Sequence, residues 1–371
     1  MACGSLLLLT CAVLLVTSSP SQADYANASA DQGIVYAKSE WRHGIALFGV
    51  DGVTIRGLRI TETGGDGIQI ASCEKGGCVD HQANVSSNVL IEDCELDHNY
   101  RQGISVISAV NLTVRNTTLS YTGVPSALSG DKPGIDYGTP PMAGVDLEPD
   151  LPNHAFTNVA FEDCRLRSNR GSGFSVYLRR SDPTSPPLSV TFRRCVVDGV
   201  TGLGGFDIGA MVPGAAAGGY GVLIEDSTVA NTTTAGLSVF DKAADGPLVE
   251  VRNTRFVDVG TNATTFYSCP IEYRALHKCS ADRYVPMHDL AVTGGLEPKH
   301  PIAYPVGGLK LTNVTVATNR SRGFMLLATT SSAGFGGGGV GGDVVVEASN
   351  ASSCEVPPQA ARTLAVDCVL R

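Results

Sequence analysis

A six-residue pattern recurs along the chain, and it confines the fold to a repeat architecture. It appears as Ile55-Arg-Gly-Leu-Arg-Ile60, Ile91-Glu-Asp-Cys-Glu-Leu96, Val114-Arg-Asn-Thr-Thr-Leu119 and Phe161-Glu-Asp-Cys-Arg-Leu166. It continues as Phe192–Val197, Ile224–Val229, Val251–Phe256 and Leu311–Val316. Most copies are followed, 12 residues after their first residue, by a Gly that opens a second apolar-alternating segment. These second segments begin at Gly67, Gly103, Gly173, Gly236 and Gly323, with Gly205 one residue late, Gly144 delayed by an 18-residue insertion and Gly44 an earlier copy. Alternation with period two marks strands. The shortest repeat, Ile91 to Val114, has 23 residues, too few for two strands and a helix. A coil of this size cannot bury its apolar face alone, so coils must stack. Parallel crossovers are right-handed. The sequence therefore predicts an all-β, single-stranded right-handed parallel β-helix of at least eight coils with inserted loops.

Composition agrees. The 371 residues include 43 Gly and only 17% charged residues, against a helical bundle. A net charge of −9 argues against nucleic acid as a partner. Met1 to Ala23 reads as a secretory signal peptide, with Leu6 to Val16 as its apolar stretch. Nine Asn-x-Ser/Thr sequons follow, at Asn27, Asn84, Asn111, Asn116, Asn231, Asn262, Asn313, Asn319 and Asn350. The expected organisation is a signal peptide at 1–23 and a β-helix at 24–332. A Gly-rich linker at 333–342 and a C-terminal strand with a disulfide-closed tail at 343–371 complete it. The expected protein is secreted or at the cell surface, glycosylated, monomeric and without a membrane span. Little chain separates the signal from the first strand to cap the solenoid, so further upstream sequence is also expected.

The cysteines divide by the repeat. Cys94, Cys164 and Cys195 share one repeat position and read as core thiols. Cys73 with Cys78, Cys269 with Cys279, and Cys354 with Cys368 bracket departures from the repeat and are expected to form disulfides.

The repeat also aligns residues expected to face outward. Neighbouring coils lie about 4.8 Å apart, so equivalent residues form files. One file reads Ala46, Gln69, Ser105, Asp146, Ser175, Asp207, Ser238. Two residues further along stand Phe48, Ala71, Ile107, Glu148, Tyr177, Gly209, Phe240. The file before the Gly begins His43, Asp66, Gln102. Asp146 and Glu148 lie about 6.5–7 Å apart on one strand face, and Asp146 and Asp207 about 9.6 Å apart across two coils. Such carboxylate pairs suit acid/base cleavage of a glycosidic bond. The candidate catalytic residues are therefore Asp146, Glu148, Asp207, His43 and Asp66. Gln69, Arg101, Gln102 and Tyr177 are candidate substrate-binding residues. Each also has a structural reading, as a ladder or turn residue. The insertion from Val124 to Pro141 lengthens one spacer by 18 residues and is a candidate cleft wall.

Glu40-Trp41-Arg42-His43-Gly44, Gly64-Gly65-Asp66-Gly67-Ile68, Tyr100–Ser105 and Ala143–Pro149 resemble blocks of the largely uncharacterised right-handed β-helix repeat proteins. More broadly, roughly Ile34 to Leu326 resembles the pectin-lyase-like superfamily. That resemblance implies action on polysaccharides by lyases, hydrolases or epimerases. The reading favoured is a glycoside hydrolase slightly ahead of a polysaccharide lyase, with a uronate C5-epimerase third. No cofactor is expected, except calcium for a lyase. The alternative is a non-catalytic glycan-binding or cell-surface β-helix.

Overall fold

The computed structural model describes residues 41–73, 85–126, 137–210, 220–243, 246–261, 269–275, 285–294, 303–306, 309–318, 324–325, 340–348, 354–355 and 364–370. Its strands form two long parallel sheets, one of nine strands and one of 18. Successive coils stack in register, so the chain is a right-handed parallel β-helix. Among the described residues no helix is long and apolar enough to cross a membrane.

Each coil contributes one strand to the nine-stranded sheet. In chain order these are Ile45–Phe48, Ile68–Ala71, Ile104–Val106, Val145–Leu147, Phe174–Tyr177, Gly204–Gly209, Ala235–Lys242, Ile271–Ala275 and Ala303–Val306. The six-residue pattern supplies the other sheet. Its first half ends one strand, its third residue turns in the left-handed region, and its second half opens the next strand. Asp93, Asn116, Asp163, Asp226, Asn253, Asp289 and Asn313 hold that turn with φ between 45° and 56°. Asn and Asp tolerate this conformation best after Gly. Their side chains also link coils, for Asn116 Nδ2 donates to Asp93 at 2.7 Å and Asn253 Nδ2 to Asp226 at 2.6 Å. Four expected glycosylation sites, Asn111, Asn116, Asn231 and Asn313, use Nδ2 in such bonds. The other five lie outside the described residues.

The fourth position of the pattern points inward. Cys94, Cys164 and Cys195 are buried thiols there. Each Sγ donates to the carbonyl two residues earlier, at 3.2–3.4 Å. Thr117, Ser227 and Thr254 make the same bond with hydroxyls at 2.8–2.9 Å. Cys, Ser and Thr therefore interchange because one donor must close one turn. Above them Phe161, Phe174, Phe192 and Phe206 stack through the coil interior with ring centroids 4.5–5.5 Å apart. Each fully buried Phe contributes about 1.5–3 kcal/mol.

The outer face of the 18-stranded sheet carries an alternating charge ladder. Arg56, Glu92, Arg115, Glu162, Arg193, Glu225, Arg252 and His288 stand in register on successive coils. Arg115 meets Glu92 at 2.6 Å, and Arg193 meets Glu162 at 3.2 Å. Arg115 and Arg56 hold the Glu92 carboxyl below the usual glutamate range. Burial pushes Glu225 up, but Arg193 and Arg252 outweigh it and hold that carboxyl low.

The repeat Gly at the start of each of the first seven strands of the nine-stranded sheet is required by close approach. A Cβ on Gly144 would lie 2.7 Å from Leu166 Cδ2 and 2.9 Å from the Gly173 carbonyl oxygen. Gly44, Gly67 and Gly205 meet the same oxygen of the next coil at 2.7 Å.

Three expectations change. The Val251 coil places its strand at Ile271–Ala275, seven residues later than the 12-residue offset predicts, because residues are inserted ahead of it. Phe324–Met325 pairs with Cys354–Glu355 in a separate small sheet rather than joining the nine strands. The segment expected as a linker to position 342 becomes strand from Val340, and Val340–Ala348 and Leu364–Leu370 extend the 18-stranded sheet. Valines and alternation there outweigh the glycines once a paired edge is offered.

Gly144→Ala is expected to lower stability by about 1–3 kcal/mol, the usual cost of overpacking, in equilibrium denaturation. In the same measurement Cys164→Ser is expected to be milder than Cys164→Ala by about 0.5–1.5 kcal/mol, since serine keeps the turn-closing donor.

Candidate active site

The nine-stranded sheet builds the site. Its register places Ala46, Gln69, Ser105, Asp146, Ser175, Asp207 and Ser238 on one file. The file continues to Glu272 and Tyr304. Glu272 was missed in sequence because its coil departs from the repeat spacing. From Asp146 onward the file alternates acid and serine with a period of two coils.

The file is not open to solvent, as its outward orientation had suggested. Gln69 is half-buried, but Asp146 is 2% exposed, Asp207 6% and Glu272 3%. Long connections enter and leave this sheet, at 72–85, 121–144, 178–189 and 210–219. Period-two alternation gives the direction of a side chain, not how closely it is covered.

Asp146 is the centre. Gln102 Nε2 donates to its Oδ2 at 2.9 Å, and Ser175 adds a side-chain hydrogen bond. Burial raises its pKa above the usual aspartate range; the Gln102 and Ser175 bonds and the Arg101 charge oppose this only in part. Gln102 Oε1 and Ser105 Oγ, both buried beside Asp146, have no hydrogen-bond partner among the described residues. Buried polar atoms of this kind are costly unless something meets them.

A second cluster adjoins the first. Asp66, with a fully buried side chain, lies between His43 and Arg101. His43 Nδ1 is 3.2 Å from Asp66 Oδ2 and 3.3 Å from the Asp66 amide nitrogen. A neutral Nδ1 accepts from that amide, and a protonated Nδ1 donates to the carboxylate. Either state therefore has a partner. Arg101 Nη1 reaches both Asp66 oxygens at 3.3 Å. Arg101 and Gln102 were expected to bind substrate. Instead they pair with Asp66 and Asp146, because burial makes unpaired acids expensive.

The accessible edge is the adjoining row. Ile107, Glu148, Tyr177 and Phe240 are each half-buried. Glu148 follows the Val145–Leu147 strand, and its amide donates to the Val106 carbonyl at 3.1 Å. Tyr177 and Phe240 stand on either side of Gly209. The insertion's described end lies at the other end of these strands, where the Thr139 amide donates to the Tyr100 carbonyl at 3.3 Å.

The remaining expectations resolve unevenly. Cys73 is disulfide-bonded, and its expected partner Cys78 lies outside the described residues. Cys269 is a buried thiol donating to the Ile271 carbonyl at 3.3 Å, rather than half of the expected bridge to Cys279, which is also outside the described residues. The strand entry places that Sγ against its own backbone instead. The side chains of Cys354 and Cys368 lie outside the described residues as well. Among the described residues no group of three or more His, Cys, Asp and Glu is arranged to hold a metal ion.

The raised pKa of Asp146 has a signed consequence. Its folded-state proton affinity exceeds the unfolded one, so its contribution is fully present below the ordinary aspartate pKa. That contribution is lost as pH rises through the folded value. Thermal melts of Asp146→Asn are therefore expected to lose less stability than the native chain between acidic and neutral pH. Identical slopes would contradict the assignment.

A family described as right handed beta helix region matches residues 24–138. No curated protein matches the chain. The match at the N-terminal coils and the stacked parallel sheets that continue beyond it identify the fold as a right-handed parallel β-helix.

Proposed function

We propose that this β-helix cleaves glycosidic bonds of a polysaccharide, with Asp146 as proton donor and Glu148 as the carboxylate that activates water. The observation that carries the reading is the raised pKa of Asp146, two residues from a half-exposed Glu148 on the same strand face. Burial keeps the Asp146 proton available at a higher pH than an ordinary aspartate would, as a general acid requires. The proton passes to the leaving oxygen while water attacks the anomeric carbon and gives a proton to Glu148. The two Cα atoms lie about 6.5–7 Å apart by strand rise, and water attack in a single step requires room for that water between the two carboxyl groups. Asp207, two coils along, supplies a second acid to the same face. His43, Asp66 and Arg101 fix the adjoining end of the site, and Gln69 and Tyr177 contact substrate.

Electrostatics favour hydrolysis over elimination. A lyase or C5-epimerase must neutralise a uronate carboxylate with a cation. On this face Arg101 is taken by Asp66, and Lys242 donates to the carbonyls of Ala243 and Gly246. The half-exposed Glu148 carboxylate would repel an anionic ring. The calcium considered for a lyase is not part of this reading. A second reading, glycan binding without cleavage, is favoured by one observation: the acid file is nearly fully buried while the adjoining row is half-exposed. In either reading the protein is a secreted or cell-surface monomer, as the Met1–Ala23 segment suggests.

A panel of polysaccharides tests the proposal. New reducing ends without an unsaturated, ultraviolet-absorbing product are expected. Asp146→Asn and Glu148→Gln are each expected to lower the rate about 10²–10⁴-fold. Absence of cleavage across the panel and across pH would remove the enzyme and leave the binder.

A further inference from the structure

We propose that Tyr177 and Phe240 form a stacking subsite for one pyranose unit of a neutral polysaccharide, made possible by the missing side chain of Gly209. The inference rests on the glycan reading above and adds the substrate's charge class and its point of contact.

Tyr177, Gly209 and Phe240 occupy one register position on three successive coils. The backbones of Tyr177 and Phe240 are thus about 9.6 Å apart. Their ring centroids nevertheless approach to 6.2 Å, with an interplanar angle of 31°. The rings close that distance over Gly209. A Cβ on Gly209 would collide with Phe240 Cζ, Cε1 and Cε2. The Phe240 ring therefore fills the place of the absent side chain and leans toward Tyr177. Both residues are half-buried, so each keeps solvent-facing surface. Asp207 stands two residues before Gly209 on the same strand face.

Aromatic faces bind apolar surface without requiring charge. A pyranose ring presents such a surface through its axial C–H groups. The surrounding charges select the class of sugar. Glu148, Asp207 and Glu272 share this face, Arg101 and Lys242 on it are engaged, and the exposed Arg179 and Arg180 lie beyond Tyr177 in the turn that follows its strand. A neutral hexose or pentose polymer is accepted there, and a polyuronate is repelled.

Affinity electrophoresis in gels containing xyloglucan, xylan, galactomannan or polygalacturonate provides the test. At least one neutral polymer is expected to retard the native protein, and polygalacturonate is not. Phe240→Ala and Gly209→Ala are expected to weaken retardation about 3–10-fold. Asp146→Asn is expected to bind normally, which separates binding from cleavage. Thermal melts confirm folding, and Phe240→Leu, which keeps apolar volume but no ring, replaces any variant that fails to fold. Equal retardation of native and folded variants overturns the subsite, as does binding to polygalacturonate alone or to no polymer. Unimpaired cleavage by Phe240→Ala overturns the subsite and leaves the hydrolase. Ring-dependent retardation without cleavage leaves the subsite and removes the hydrolase.

Discussion

In-register stacking of one coil on the next is the constraint on which the molecule depends. Parallel hydrogen bonds fix equivalent residues above one another at about 4.8 Å. Every side chain therefore has its own counterpart as a neighbour, above and below. A residue acceptable once must be acceptable in company. The inner files meet this with Phe on Phe and with a column of turn-closing Cys, Ser and Thr. The outer face meets it by alternating charge. Gly144 and its counterparts meet it by having no side chain where a carbonyl approaches.

The same constraint shapes the candidate site. Acids stacked on consecutive coils would repel at close range in a dry environment, so serines separate them. Gln102 reaches across to Asp146, and Arg101 reaches back to Asp66. Side chains that sequence offered as substrate contacts thus spend their polar atoms on the ladder. What they leave is the buried Asp146 carboxyl beside an accessible edge formed by Glu148, Tyr177 and Phe240.

Repeat alignment made the coils, the strand register and the file through Asp146 and Asp207 readable in the amino-acid sequence. It worked because each coil obeys the same short-range rules. Exposure was not readable, since period-two alternation gives a side chain's direction and not what covers it. Glu272 was hidden for a related reason, an insertion that displaces its strand from the expected offset. The charge ladder was present in the second position of the first seven repeats, but its meaning appears only once Arg115 and Glu92 are seen to touch. The state of Cys269 was hidden because local pairing by spacing ignores which way a thiol points.

The alternation of the charge ladder has a consequence for how such a chain can lengthen. Arg and Glu exchange at every coil from Arg56 to Arg252, and the acid–serine file keeps the same two-coil beat from Asp146 to Glu272. Removing one coil would set arginine on arginine or glutamate on glutamate and break step in both files at once. Removing two would leave each rung facing its opposite. The module by which this solenoid can grow or shrink is therefore a pair of coils, twice the structural repeat.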